Sequence, residues 1–304
     1  YNDPVKDTSG EAIYIRDEET GNYWSPTPLP VRGKTPYVVR HGFGYTVFEH
    51  TEYDITSELW IYVAMDAPVK FTVLKLYNRS ERPRRISMTG YYEWVMGDTR
   101  TRNLLHIRTE ADAKTGVLYA RNPYNADFSE KIAFLDAGNL RAVTGDRREF
   151  IGQNGNLSQP AAMQKKRLSV NTGAGMDPCG AVQIFMELQP GERRKARILL
   201  GCARSEDDMY ELVNRYRRPG MTHKVLQDVK DYWERTLHTV QVETPDPAVN
   251  VMTNGWFLYQ TLSCRIWART GYYQSGGAYG FRDQLQDVMA LSFAEPAIMR
   301  KQIL

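Results

Sequence analysis

The stretch Val182-Gln-Ile-Phe-Met-Glu-Leu-Gln-Pro-Gly-Glu-Arg-Arg-Lys-Ala-Arg-Ile-Leu-Leu-Gly-Cys-Ala-Arg-Ser-Glu-Asp-Asp208 carries both halves of this protein's fold and the change from one to the other. Val182–Leu188 and Ala196–Leu200 are short apolar runs rich in branched residues, and Gln189-Pro-Gly-Glu192 between them has turn chemistry. Together they predict two strands joined as a hairpin. At Ser205 the period changes. Ser205-Glu-Asp-Asp208 resembles a capping box, with Asp where Glu or Gln is usual. The apolar residues beyond it, Met209, Leu212, Val213 and Tyr216, share one helical face.

Upstream the β pattern persists. Tyr37–Val39, Tyr45–Phe48, Leu59–Val63 and Phe71–Tyr77 are rich in β-branched and aromatic residues. Asn78 to Pro83 is polar and ends in proline, which predicts a second hairpin from Phe71–Tyr77 to Ile86–Trp94. So many strands in one run, from about residue 11 to 203, imply an antiparallel β-sandwich. The sector Gly138–Met176 reads as an elaborated surface loop.

Downstream the pattern is helical. Arg218-Pro-Gly220 stops the first helix, and Thr222 is the expected cap of a second that carries Val225, Leu226, Val229, Tyr232 and Trp233. Val240-Gln-Val242 reads as a short extended crossing. Asp246-Pro247 is an N-cap with proline at the first helical position, opening a long helix to about Ala268. That helix is apolar nearly all round, as expected inside a packed helical domain. Another helix is expected to begin near Arg282 or Asp283.

Composition narrows the function classes. A chain of 304 residues with 42% hydrophobic content can bury a large core and form two structural units. The net charge of +3 is small and comes from interspersed residues with no basic stripe, which argues against nucleic acid. No apolar run approaches the roughly 20 residues needed to span a bilayer, and no charged-then-apolar leader is present. Cys179, Cys202 and Cys264 are widely spaced and odd in number, suiting a reducing, cytoplasmic compartment. The sequons Asn78-Arg-Ser80 and Asn156-Leu-Ser158 read as chance matches. The five histidines show no ligand spacing, so neither a metal nor a cofactor is expected. Cys264 lies in the long apolar helix and reads as core.

The richest chemistry lies in Gly271–Asp287, where four glycines, four aromatics, one arginine and two carboxylates occupy seventeen positions. Glycine admits close backbone approach, aromatic faces stack, and arginine with carboxylates gives directional hydrogen bonds. That mixture suits a sugar. A glycine-rich loop before an ordinary capped helix has the same composition.

The string Tyr273-Gln-Ser-Gly-Gly-Ala-Tyr-Gly-Phe-Arg-Asp-Gln-Leu-Gln-Asp287 resembles the glycan phosphorylases of glycoside hydrolase family 94, and among them the phosphorylase-like region of cyclic β-1,2-glucan synthases. Asn2-Asp-Pro-Val5, Gly10-Glu-Ala-Ile-Tyr-Ile-Arg-Asp-Glu-Glu19, Tyr23-Trp-Ser-Pro26 and Val39-Arg-His-Gly-Phe-Gly-Tyr45 agree. So do Thr144-Gly-Asp-Arg-Arg-Glu-Phe-Ile-Gly152, Asn154-Gly155 and Asp177-Pro-Cys179, so the likeness runs from end to end.

The resemblance implies a multidomain β + α chain: residues 1–203 an antiparallel β-sandwich, 204–245 a helical linker, and 246–304 the first helices of a truncated (α/α)6 barrel. It implies inverting phosphorolysis of a β-glucan, with inorganic phosphate as co-substrate and α-glucose 1-phosphate as product. Arg282 and Asp287 match the pair that grips the non-reducing-end glucose, with Asp283, Tyr272, Tyr273, Gln274 and Gln286 as further sugar contacts. Arg269, between the long helix and the glycine-rich loop, is the candidate phosphate ligand, since arginine holds phosphate bidentately. Each has a plainer reading: Arg269 as a cation at a helix C-terminus, and Arg282 in a salt bridge across a helix N-terminus capped by Asp283. The general acid is expected beyond Leu304. The resemblance also allows a homodimer and a tether to a membrane synthase. Asp146-Arg-Arg148 and Asp177-Pro-Cys179 match the family without an evident chemical role. Two other functions fit the same residues: a glucan-binding module without turnover, and an inverting hydrolase with a second carboxylate acting through water.

Overall fold

A computed structural model describes residues 10–97, 100–138, 140–267 and 280–304. The chain divides into two compact units, one reaching to Leu226 and one formed by Gln227–Leu304.

The first unit is a sandwich of two antiparallel sheets. Its strands are β1 (Glu11–Asp17), β2 (Tyr23–Trp24), β3 (Tyr37–Gly42), β4 (Tyr45–Glu52), β5 (Ile55–Val63), β6 (Val69–Asn78) and β7 (Arg84–Glu93). There follow β8 (Arg108–Ala111), β9 (Leu118–Arg121), β10 (Ile132–Asp136), β11 (Leu140–Asp146), β12 (Pro178–Leu188) and β13 (Arg193–Ala203). One sheet has the order β11-β12-β7-β1-β2, the other β3-β4-β5-β6-β13-β10-β9-β8. Between them lies a core that includes Ile13, Ile15, Leu59, Leu74, Met88 and Ile198.

Both predicted hairpins are corrected by this topology. β6 and β7 lie in different sheets, and so do β12 and β13. The physical reason is visible in the core. Leu74 and Leu76 of β6 pack in the same cluster as Ile86 and Met88 of β7, and Ile184 and Met186 of β12 with Ala196 and Ile198 of β13. These runs face one another across the core instead of pairing edge to edge. The expected turn at Gln189–Glu192 is present and tight: Glu192 N–H donates to Gln189 O at 3.0 Å, and Gly191 sits at φ 71°, which a side chain would resist. The two crossovers are tied together by Asn78, which is fully buried. Its N–H donates to Glu192 O (3.1 Å), and its carbonyl accepts from Gly191 N–H (2.9 Å). Its side-chain amide donates to the carbonyls of Arg82, Leu188 and Gln189.

Each sheet is also covered on its outer face, which is why β7 and β12 are buried on both sides. The sector 138–176 is not a surface loop. It supplies β11, the short helix Arg147–Ile151 and the turn Ala161–Gln164. Phe150, Met163 and Leu168 from it pack on Tyr14 and Tyr91 of the five-stranded sheet. The outer face of the larger sheet is covered by the helix Glu206–Arg217, whose Met209, Leu212, Val213 and Tyr216 are buried as predicted. Ser205 is its N-cap, accepting from Asp208 N–H, while the Asp208 carboxylate accepts from Arg204 N–H. Thr222 does not cap the next helix: Met221–Leu237 begins one residue earlier, directly after Gly220 at φ 81°. Thr222 instead accepts a hydrogen bond from Lys195 and, through its carbonyl, one from Tyr62 (2.7 Å).

The second unit is helical. Asp246 caps the helix that starts at Pro247, accepting from Ala248 N–H at 2.8 Å. The helix runs through Trp267 with α-helical turns (Pro247–Val251, Phe257–Gln260) alternating with wider π-helical ones (Met252–Trp256, Thr261–Trp267). Its expected all-round burial is not found: Leu262 and Ile266 are buried, but Trp256, Phe257 and Trp267 are exposed. Val240–Val242 is a loop, not an extended crossing, because Asn254 satisfies the Val242 backbone on both sides, at 2.7 and 2.8 Å. The helices Phe281–Met289 and Pro296–Ile303 complete the unit around Val229, Trp233, Leu262, Ile266, Val288 and Leu291.

Candidate functional site

Among the sequence-predicted site residues, Arg269, Tyr272, Tyr273 and Gln274 lie outside the described residues. The others sit on the helix Phe281–Met289, whose N-terminus is preceded by Gly280 with no side-chain cap. Asp283 is therefore a first-turn residue rather than the cap, where a carboxylate is favoured by the helix dipole. Arg282 is largely exposed and lies 3.7 Å from the Asp283 carboxylate. Gln286 is exposed.

Asp287 is the organised member of this set. Its Oδ2 accepts from Arg265 Nε at 2.8 Å and lies 2.7 Å from the other guanidinium arm, so a single carboxylate oxygen takes a forked donor. Arg265 comes from the preceding long helix, four residues before Arg269 in the sequence. It was not singled out in the sequence; the spacing Arg265-x-x-x-Arg269, which repeats arginine after one helical turn, was the available signal. Asp287 and Arg282 are not in contact: one is held by Arg265, the other extends toward solvent. Cys264, half-buried beside Arg265, donates its thiol to Gln260.

The sandwich unit brings together the two motifs that lacked a role. Arg147 N–H donates to Asp177 O at 2.8 Å, and the Arg147 side chain bridges Glu93 Oε1 (3.0 Å) and Asp177 Oδ2 (3.4 Å). Arg100 spans the same two carboxylates from the other side. Tyr91 donates its hydroxyl to Glu93 at 2.8 Å. Burial opposes the charge on Arg147, yet Tyr91, Glu93 and Asp177 outweigh it and raise its pKa further. Two arginines against two carboxylates leave the cluster neutral, so it clamps strand ends together and has no spare charge for an ion. Asp146 completes the clamp by capping Arg148 N–H at 2.9 Å. Cys179 is fully buried, and that burial pushes its thiol well above the ordinary range, which removes it as a nucleophile. All three cysteines are free. Among the described residues no group of His, Cys, Asp and Glu is placed to hold a metal, and no helix is long and apolar enough to cross a membrane.

A two-sheet sandwich followed by helices, with an arginine-held aspartate after a glycine-rich segment, matches known sequences along its whole length. The sequence model "Glycosyl hydrolase 94, supersandwich domain" covers residues 1–219, and "Glycosyl hydrolase 94 superfamily, catalytic domain" covers residues 232–304. The chain belongs to the glycosyl hydrolase 94 family. It is 36% identical over 306 residues to cyclic beta-(1,2)-glucan synthase NdvB of Rhizobium meliloti, covering 100% of this chain and 11% of that protein. It is 28% identical to the N,N'-diacetylchitobiose phosphorylase of Vibrio furnissii, over 98% of this chain and 38% of the enzyme. A 3-O-beta-D-glucopyranosyl-beta-D-glucuronide phosphorylase of Paenibacillus borealis is 27% identical over 94% of this chain and 37% of its own length. The chain thus spans well under half of these relatives. A bacterial glucoamylase solved with acarbose shares the fold, with a TM-score of 0.59 at 8% identity over 96% of this chain and 43% of its own.

Proposed function

We propose that the protein carrying this chain is an inverting glycoside phosphorylase that cleaves a β-glucan, β-1,2-linked, with inorganic phosphate to give α-glucose 1-phosphate. In this reading it acts as the chain-length-controlling part of a cyclic β-1,2-glucan synthase. It works in the cytoplasm, at the face of the inner membrane where the synthase half is tethered, and as a homodimer. The observation that carries the reading is the end-to-end match to both family-94 domains, supported by the 36% identity to a β-(1,2)-glucan synthase. The proposed division is a sandwich over 1–203, a helical linker over 204–245, and the opening of an (α/α)6 barrel over 246–304.

The chemistry asks little of the protein beyond positioning. An acid protonates the departing glycosidic oxygen while phosphate attacks the anomeric carbon from the opposite face, so no protein base is required and the configuration inverts. That acid is assigned to a residue beyond Leu304. Asp287 and Arg282 are assigned to the hydroxyls of the glucose beside the cleaved bond, with Asp283, Gln286, Tyr273 and Gln274 as further contacts, and Arg269 to phosphate. The forked pairing with Arg265 supports the role of Asp287 as a fixed acceptor: both guanidinium contacts fall on Oδ2, so the carboxylate is held in place while Oδ1 can take a hydroxyl. Kinetics of the intact protein test the roles. Arg269→Ala should raise the apparent KM for phosphate more than that for glucan, and Arg282→Ala should do the reverse. Equal effects on both substrates would contradict the assignment.

A further inference from the structure

A cavity of about 430 Å³ lies in the sandwich unit, between the β10–β11 turn, β12, β13 and the Arg218-Pro-Gly220 bend. Its lining carries Lys195, Arg197, Arg217 and Arg218 and no carboxylate. Only Arg217 has a partner of opposite charge, the buried Asp136 at 2.6 Å. Among the described residues, Lys195, Arg197 and Arg218 form no ion pair.

Three further observations separate this from a solvated basic face. Arg193, Lys195 and Arg197 alternate along β13 and so share one side of it. Lys195 stands directly opposite Lys75 in the sheet, and Lys75 is itself paired with Glu58, so the ammonium left without an anionic partner there is that of Lys195. Arg197 Nε is sealed from solvent without a hydrogen-bond partner, so this guanidinium does not simply reach into water. Burial and the neighbouring Lys75 and Arg197 depress the Lys195 pKa; burial and Arg217 depress that of Arg197, against the pull of Asp136. The charges are thus held together at a cost that an anion would offset.

We propose that this cavity binds the phosphoryl group of a phosphate monoester, with Lys195 and Arg197 as its ligands. The Thr222 hydroxyl already sits on Lys195 and fixes that ammonium. Arginine and lysine together match a dianionic phosphoryl group by fork and by point charge. The lining also includes Phe185 and Pro219, and the volume suits a small organic ligand. That volume favours an ester, since free phosphate alone would leave much of it unfilled. The site is separate from the phosphate role assigned to Arg269.

The test is equilibrium dialysis of the intact protein against labelled glucose 6-phosphate, with inorganic phosphate and chloride at matched ionic strength as competitors. Arg197→Gln and Lys195→Gln should each weaken glucose 6-phosphate binding by about tenfold or more, the loss of one charge-assisted contact, and Arg269→Ala should leave this binding in place. Binding that survives both sandwich variants, that chloride displaces equally well, or that only Arg269→Ala removes would overturn the site. Inorganic phosphate binding as tightly as the ester would overturn the ester assignment. Thermal unfolding of ligand-free protein in low salt keeps the variants interpretable. Arg197→Gln should unfold no earlier than the parent because it relieves repulsion, and an earlier unfolding would make Arg197 a structural group and defeat the proposal.

Discussion

In the sandwich unit Phe71, Phe134, Phe150, Tyr91 and Tyr92 are closed off from solvent almost completely, whereas in Gln227–Leu304 the side chains of Trp256, Phe257, Trp267, Phe281 and Phe293 keep 45% to 80% of their surface exposed. Both units are rich in aromatics, so composition does not separate them. Layering does. The sandwich buries apolar residues in three clusters, one between its sheets and one outside each. Among the described residues the helical unit has one smaller cluster, around Trp233, Leu262 and Val288. Stability should therefore sit with the sandwich and chemistry with the helices.

The largest test of that division is catalytic. On the proposed assignment of the acid beyond Leu304, a preparation of residues 1–304 alone should release no glucose 1-phosphate while the intact protein does, because a positioned acid contributes about 10²–10⁴-fold in rate. Coupled assay of the two side by side reads it; a normal rate from 1–304 would send the search for the acid to Asp283 and Asp287. Next comes packing. Phe134→Ala should cost about 3–5 kcal/mol in denaturant unfolding, as for a fully buried aromatic, and Phe257→Ala within about 0.5 kcal/mol, as for an exposed site. Similar losses at both would erase the contrast.

Asn78→Ala strips three carbonyls of a buried donor at once, and should cost about 1–3 kcal/mol or more while leaving the helical unit's near-ultraviolet signal in place. The smallest effect is on acid stability. Burial would raise the Asp17 carboxyl, but the backbone N–H groups of Glu19 and Thr20 and the buried Arg84, 2.8 Å away, outweigh it and hold the pKa below its ordinary 3.8. A depressed folded value means the stabilisation is complete above the ordinary carboxylate pKa and is lost as pH falls from there through the lower folded value. Asp17→Asn should therefore flatten the acid limb of the sandwich's stability profile and change nothing in the helices.

The sequence made the class of fold legible because strand and helix periods differ. It also marked the caps at Ser205 and Asp246, where a short polar side chain precedes an apolar periodic run. It did not disclose strand partners. A tight turn such as Gln189–Glu192 serves a hairpin or a sheet-to-sheet crossover equally well, and only the shared core of β12 with β13 distinguishes them. The burial of Phe150 and Met163 was hidden because the cover over a sheet has no period of its own. At the candidate site Asp287 was legible from its motif, but Arg265 was not, since its partner lies 22 residues away on another helix.

Proton NMR of the intact protein incubated with β-1,2-glucan, with and without inorganic phosphate, reads the proposed phosphorolysis directly. α-Glucose 1-phosphate should be the initial product and should appear only when phosphate is present. Release of free glucose at the same rate without phosphate would contradict it.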